Sequence, residues 1–127
     1  MCRMKTSVLF SAMISLSVLS TGCGGTSSNN CIITANITPA SAIGDHSSSP
    51  ANLVQFSTTG SASGNCPMLP DTVGTWSTSD PGNTSISNQA GTVGLATCLG
   101  TTTTPATISN SGTIRGKGFT SATLTCR

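Results

Sequence analysis

Cysteines are the residues of this chain with the most evident chemistry. The sequence has six, at Cys2, Cys23, Cys31, Cys66, Cys98 and Cys126. None of them form a C-x-x-C pair, the usual spacing of structural zinc ligands. Cys2 and Cys23 lie in the N-terminal 30 residues, and four cysteines remain in the rest of the chain. An even number of cysteines in a small exported domain predicts two disulfide bonds, with three possible pairings, and no metal site.

Groups suited to acid–base catalysis are few. The only histidine, His46, follows Asp45 directly, and neighbouring residues rarely reach the geometry of a Ser-His-Asp apparatus. No G-x-S-x-G motif is present, and glutamate is absent. Asp71 and Asp80 flank a segment around Trp76, so we expect them to lie far apart. Asp80 is typical of a turn, and no D-x-D-x-D spacing suggests calcium. This small set of titratable residues predicts that the protein is not an enzyme and has no cofactor.

The N-terminal segment has the pattern of a secretory signal. Two basic residues precede an apolar run at 8–19, which is shorter than the ~20 residues that span a bilayer. The Leu-Ser-Thr-Gly-Cys run at 19–23 resembles a lipobox, in which the cysteine sulfur receives a diacylglycerol. We therefore expect a lipoprotein signal at 1–22 and lipidation of Cys23. The alternative is an ordinary cleaved signal that leaves a free thiol.

The remaining chain divides into a flexible Gly/Ser/Asn tether at 23–30, beginning with the lipidated cysteine, and one domain at 31–127. Both excess positive charges lie in the signal, so three aspartates balance three basic residues in the mature chain. No basic patch remains to bind nucleic acid. Abundant Thr, Val and Ile favour strands over helices.

Alternating apolar residues between turn formers predict seven short strands. These are 31–38, 53–59, 73–78, 84–87, 92–98, 106–114 and 119–126, with a hairpin loop at 115–118. Inward positions of the 92–98 segment are expected at Val93 and Leu95. The predicted core contains Ile37, Val54, Phe56, Trp76 and Leu124. Trp76 could alternatively be an exposed platform for a sugar. The pattern predicts an all-β sandwich or small barrel.

The order of these segments resembles the bacterial immunoglobulin-like domain, group 2. The motifs are I-x-P-x-x-A at 37–42, V-x-F-x-x-x-G at 54–60, T-W-S-x-S-D-P at 75–81, I-S-N at 86–88, G-L-A-T at 94–97 and S-A-T-L-T at 121–125. The resemblance implies an Ig-like antiparallel β-sandwich of about seven strands. It also implies an extracytoplasmic module, often found in adhesins, with no shared catalytic residues.

The disulfide pairing follows from that topology. In a seven-stranded Ig-like sandwich, the first strand begins beside the loop between the second and third strands, which brings Cys31 toward Cys66. The last strand ends beside the loop between the fifth and sixth strands, which brings Cys126 toward Cys98. Since bridged Cα atoms lie within ~7 Å, the pairs Cys31–Cys66 and Cys98–Cys126 are favoured.

The functional expectation is a membrane-anchored, non-enzymatic module of the cell envelope. It would be held by its N-terminal lipid and bind a protein or a glycan. By analogy with Gram-negative sorting, Gly24 after the lipidated cysteine favours the outer membrane, on its periplasmic or its outer side. The alternatives are a small envelope enzyme or metal-binding protein, and a surface domain without a dedicated partner.

Overall fold

The computed structural model describes residues 30–127. The predicted signal, Cys23 and most of the tether lie outside the described residues. The described part contains eleven strands and no helix. They are β1 (Ile32–Thr38), β2 (Ser41–Gly44), β3 (Leu53–Gln55), β4 (Ser57–Ser63), β5 (Trp76–Thr78), β6 (Thr84–Ile86), β7 (Leu95–Cys98), β8 (Ala106–Asn110), β9 (Thr113–Ile114), β10 (Lys117–Gly118) and β11 (Ala122–Cys126).

Two sheets form the layers of the fold. One has four strands in the order β2-β11-β8-β5, and the other has three in the order β3-β7-β6. The pairs β1–β4 and β9–β10 form two further, two-stranded sheets, which contact each other. The predicted all-β sandwich is confirmed. The strand number is higher because two predicted strands are each divided and two short ones, β2 and β10, are additional.

The core lies between the layers. Its buried members are Ile37, Phe56, Trp76, Ala96, Cys98, Ile108, Ala122, Leu124 and Cys126. Four residues proposed for the core from sequence are thus buried, and Val54 is half-buried against the same cluster. Trp76 is 6% exposed, which leaves too little ring surface for a sugar to stack on.

The predicted strand 53–59 is divided at Phe56, between β3 and β4. Val54 pairs with Ala96 in β7, whereas Thr58 pairs with Ile37 in β1. The Phe56 N–H donates to the Gly94 carbonyl at 2.8 Å while the ring fills the core. The chain thus changes pairing partner here, and the buried positions end at Phe56, since every residue of β4 is exposed.

The predicted strand 106–114 is divided as well, at residues 111–112. Its second part, β9, pairs with β10 in a two-residue hairpin whose turn residues are Arg115 (φ 47°) and Gly116 (φ 81°). Positive φ at both central residues defines the turn that matches the twist of a hairpin. The loop expected at 115–118 is therefore wrong in its second half, because Lys117 and Gly118 belong to a strand.

In the segment 92–98, the expectation of Val93 and Leu95 as inward residues is wrong. Ala96 and Cys98 are buried, Leu95 is half-buried and Val93 is 49% exposed. The alternation was assigned one residue out of phase, which reverses the two faces of a strand. The start of the segment 73–78 is also wrong, since β5 begins at Trp76 and Val73 is fully exposed.

Strand β2 was not predicted, and it pairs in parallel with β11, the one departure from an antiparallel sandwich among the described strands. Its only large side chain, Ile43, is exposed, while Gly44 is buried near Cys98. A Cβ at Gly44 would lie 2.6 Å from the Cys98 sulfur, so close packing selects glycine here.

The two disulfides lie at opposite ends of the sandwich, and their predicted pairing is confirmed. Cys31 and Cys66 have Cα atoms 4.7 Å apart, and Cys98 and Cys126 have theirs 5.6 Å apart. The run 53–63 connects the ends: Leu53 pairs beside Cys98, and Ser63 pairs beside Cys31. At ~3.3 Å per residue this run is about 30 Å long. We call the end with Cys31 the tether end and the other the far end.

Candidate interaction surface

An open cleft lies on the side of the sandwich, between mid-height and the tether end. Its volume is about 260 Å³. The apolar walls are Val73, Trp76, Val93, Ile114 and Phe119, and the polar lining is Thr58, Asp71, Thr72, Gly74 and Asn110. Apolar walls beside polar groups that can orient a ligand are typical of binding sites, and half of this lining is apolar.

Hydrogen bonds fix the rim of the cleft. The Asp71 carboxylate accepts the Arg115 N–H at 2.8 Å, which joins the loop before β5 to the hairpin turn. Thr72 and Thr113 exchange backbone hydrogen bonds and their hydroxyls lie 2.9 Å apart. The loop that carries Val73 is therefore held in place by the β9–β10 hairpin.

Asn88 positions the innermost wall of the cleft. Its Oδ1 accepts the Trp76 N–H at 2.6 Å, and its Nδ2 donates to the Trp76 carbonyl at 3.0 Å. The amide thus replaces a neighbouring strand at the start of β5, which is an edge strand of its sheet. Sequence reasoning missed this role, because an asparagine after a short strand is equally typical of a turn.

A second exposed surface covers the tether end. Met68 is 87% exposed, Ile32 60% and Leu69 52%. Met68 and Leu69 lie between two prolines in the long loop after Cys66. They line a shallow depression of about 320 Å³ together with Pro70, Asp71 and Arg115. We call Ile32, Met68, Leu69 and Pro70 the tether-end patch.

Basic side chains flank the tether-end patch. Arg115 Nη1 lies 3.2 Å from the Met68 sulfur and 3.4 Å from the Pro67 carbonyl oxygen. Lys117 donates from Nζ to the Ile33 carbonyl oxygen at 2.6 Å. These two cations and the single carboxylate of Asp71 leave the tether end with a net positive charge.

The far end has a net negative charge. Asp45 and Asp80 lie there with Arg127, whose N–H donates to Gly44 beside the Cys98 disulfide. The Ser47 hydroxyl and then the Ser47 N–H donate to the Asp45 carboxylate, at 2.7 and 3.0 Å, and hold its pKa below the ordinary value. The described domain is therefore neutral overall but polarised along its long axis.

The residues considered for catalysis are not brought together. His46 is exposed, and its Nδ1 lies 3.0 Å from the Arg127 carbonyl oxygen. Asp80 accepts the N–H and the amide of Asn83 in the turn before β6. Among residues 30–127, no three His, Cys, Asp or Glu side chains lie close enough to hold a metal ion.

Comparison with models of known protein families and with curated proteins finds no match for the chain. Within the part that the structure describes, no helix is long and apolar enough to cross a membrane.

Proposed function

We propose that this chain is a non-enzymatic lipoprotein of the bacterial cell envelope, anchored through Cys23, whose single Ig-like domain binds a protein or glycan in the side cleft. The observation that carries the proposal is the side cleft, whose apolar walls are held in place by hydrogen bonds between the loop before β5 and the β9–β10 hairpin. Val73 and Val93 are exposed at the cleft. Apolar side chains grouped at one exposed site, rather than scattered singly, are typical of an interaction surface.

Export and anchoring are supported by two independent features. Disulfides persist in oxidising compartments, and this domain has one at each end. The signal-like segment ends in small residues followed by Cys23. The motifs that resemble the group 2 bacterial Ig-like domain agree with an extracytoplasmic binding module, and the Gly24 that follows the anchor favours the outer membrane.

Anchoring is tested by intact mass spectrometry of the protein from the membrane fraction of a Gram-negative host. We expect an N-terminal Cys23 that carries acyl chains, and four further cysteines that are alkylated only after reduction. Cys23→Ser should abolish the acyl mass and release the protein from the membrane. Cys2→Ser is the matched control, because that cysteine lies in the removed signal. An unacylated, soluble wild-type protein would refute the anchor.

Binding is tested by placing a photo-crosslinking amino acid at position 93 in cells. We expect a covalent adduct from that position and none from position 99. Leu99 is the matched control because it is 56% exposed, close to the 49% of Val93, and lies at the far end. Equal adducts from both positions, or none from position 93, would favour a surface domain without a dedicated partner.

A further inference from the structure

The tether-end patch is the part of the surface nearest to the point where the chain leaves the domain. Residue 30 precedes Cys31, whose disulfide partner Cys66 begins the loop of Met68 and Leu69. The Asn30 carbonyl also lies against Gly64, in the same loop. The patch therefore surrounds the origin of the tether.

We propose that the tether-end patch docks onto the surface of the membrane, as a second contact beside the lipid anchor; this rests on the proposed lipidation of Cys23. Met68 and Leu69 would enter the boundary between headgroups and acyl chains. Arg115 and Lys117 would lie at the level of anionic phospholipid headgroups. A lipid surface suits this combination because it accepts apolar side chains and cations in adjacent layers.

The length of the tether favours the membrane as the partner of the tether-end patch. Seven residues, 24–30, separate Cys23 from Cys31. A Gly/Ser-rich chain of that length has an end-to-end distance of about 15 Å, and about 25 Å when fully extended. The tether end is thus held close to the bilayer. Even a patch with weak affinity for lipid would then be bound to the membrane most of the time, because the anchor makes this second contact intramolecular.

The charge distribution also favours an orientation in which the tether end faces the membrane. The tether end carries both cations of the hairpin, whereas the far end carries Asp45 and Asp80. An anionic membrane attracts the first end and repels the second, over the ~8–10 Å range of electrostatic interactions at physiological salt. The domain would then stand upright, with the side cleft opening laterally and its Asp71 rim nearest to the headgroups.

The test uses the full chain, processed and purified from membranes, in vesicles of phosphatidylglycerol and phosphatidylcholine with or without brominated acyl chains. Tryptophan emission is compared for wild type, Met68→Trp and Leu99→Trp. The wild type gives the baseline, because its only tryptophan, Trp76, is buried. Both substituted positions are exposed, so both variants should fold.

We expect bromolipid to remove about half of the emission that the tryptophan at position 68 adds, and almost none of that added at position 99, since interfacial insertion reaches 5–10 Å. An acylated protein with equal quenching at both positions, or with none at position 68, would overturn docking and leave the anchor standing. A soluble protein without acyl mass would overturn the anchor and the docking that depends on it.

Discussion

Replacing both Cys98 and Cys126 with alanine is expected to lower the free energy of unfolding by about 5 kcal/mol. The bond closes a loop between positions 28 residues apart, which in the chain-entropy model contributes about 3–4 kcal/mol. Both cysteines are also packed in the core, where the residues are 2% and 1% exposed, so the variant adds a cavity that costs about 1–2 kcal/mol. Because domains of this size are stable by only about 5–15 kcal/mol, we expect a largely unfolded population on mild heating.

The matched control is the replacement of Cys31 and Cys66 by alanine. That loop spans 35 residues, so its entropic contribution is almost the same. Both of these cysteines are only half-buried, and the cavity contribution should be absent. Urea denaturation of the two double variants measures the difference. A loss at the tether end equal to or greater than that at the far end would contradict the argument from core packing.

The sequence allowed correct predictions where composition and periodicity agree with the long-range topology. Cysteine positions, placed on the topology that the Ig-like resemblance implies, favoured the two disulfide pairs that the structure contains. Trp76, in a short segment ahead of a dense turn, was assigned to the core. These features depend on the types of a few residues and on the order in which they occur. Both the types and the order are evident in the sequence.

The features missed depend on small residues and on neighbours that are distant in sequence. Strand β2 has inward positions Ala42 and Gly44, which give no hydrophobic signal, and its parallel pairing with β11 is decided by the fold. The phase of β7 was misread because Ala96, the buried residue, is smaller than the exposed Val93. The cleft was missed for the same reason, since Val93 is expected on the inward face of the 92–98 segment.

The roles proposed for the cleft and for the tether-end patch are compatible. Thr58, in the wall of the cleft, lies five residues before Ser63 in β4, which places it about 16 Å above the tether end. A domain that stands on the membrane through the tether-end patch would therefore present the cleft sideways, to a partner in the same membrane or in the adjacent layer. The orientation of the domain, rather than the length of its tether, would set which partners reach it.

Gly94→Ala is expected to destabilise the domain by about 3 kcal/mol. Gly94 has φ +77°, a conformation that costs other residues about 1–2 kcal/mol. A Cβ there would also lie 2.2 Å from the Phe56 carbonyl oxygen, at the point where the chain changes from β3 to β4. The backbone would have to shift, and the hydrogen bond from Phe56 N–H to the Gly94 carbonyl would weaken.

Gly91→Ala separates the cost of the positive φ angle from the cost of the contact with the Phe56 carbonyl oxygen. Gly91 has φ +87°, but nothing lies within 4 Å of the position that its Cβ would take. We expect a loss of about 1–2 kcal/mol from backbone conformation alone, so the difference between the variants measures the close approach to Phe56. Thermal and urea unfolding of both proteins provide the values. Equal losses would show that the sheet change at Phe56 tolerates a side chain at position 94, and that Gly94 is required for its φ angle only.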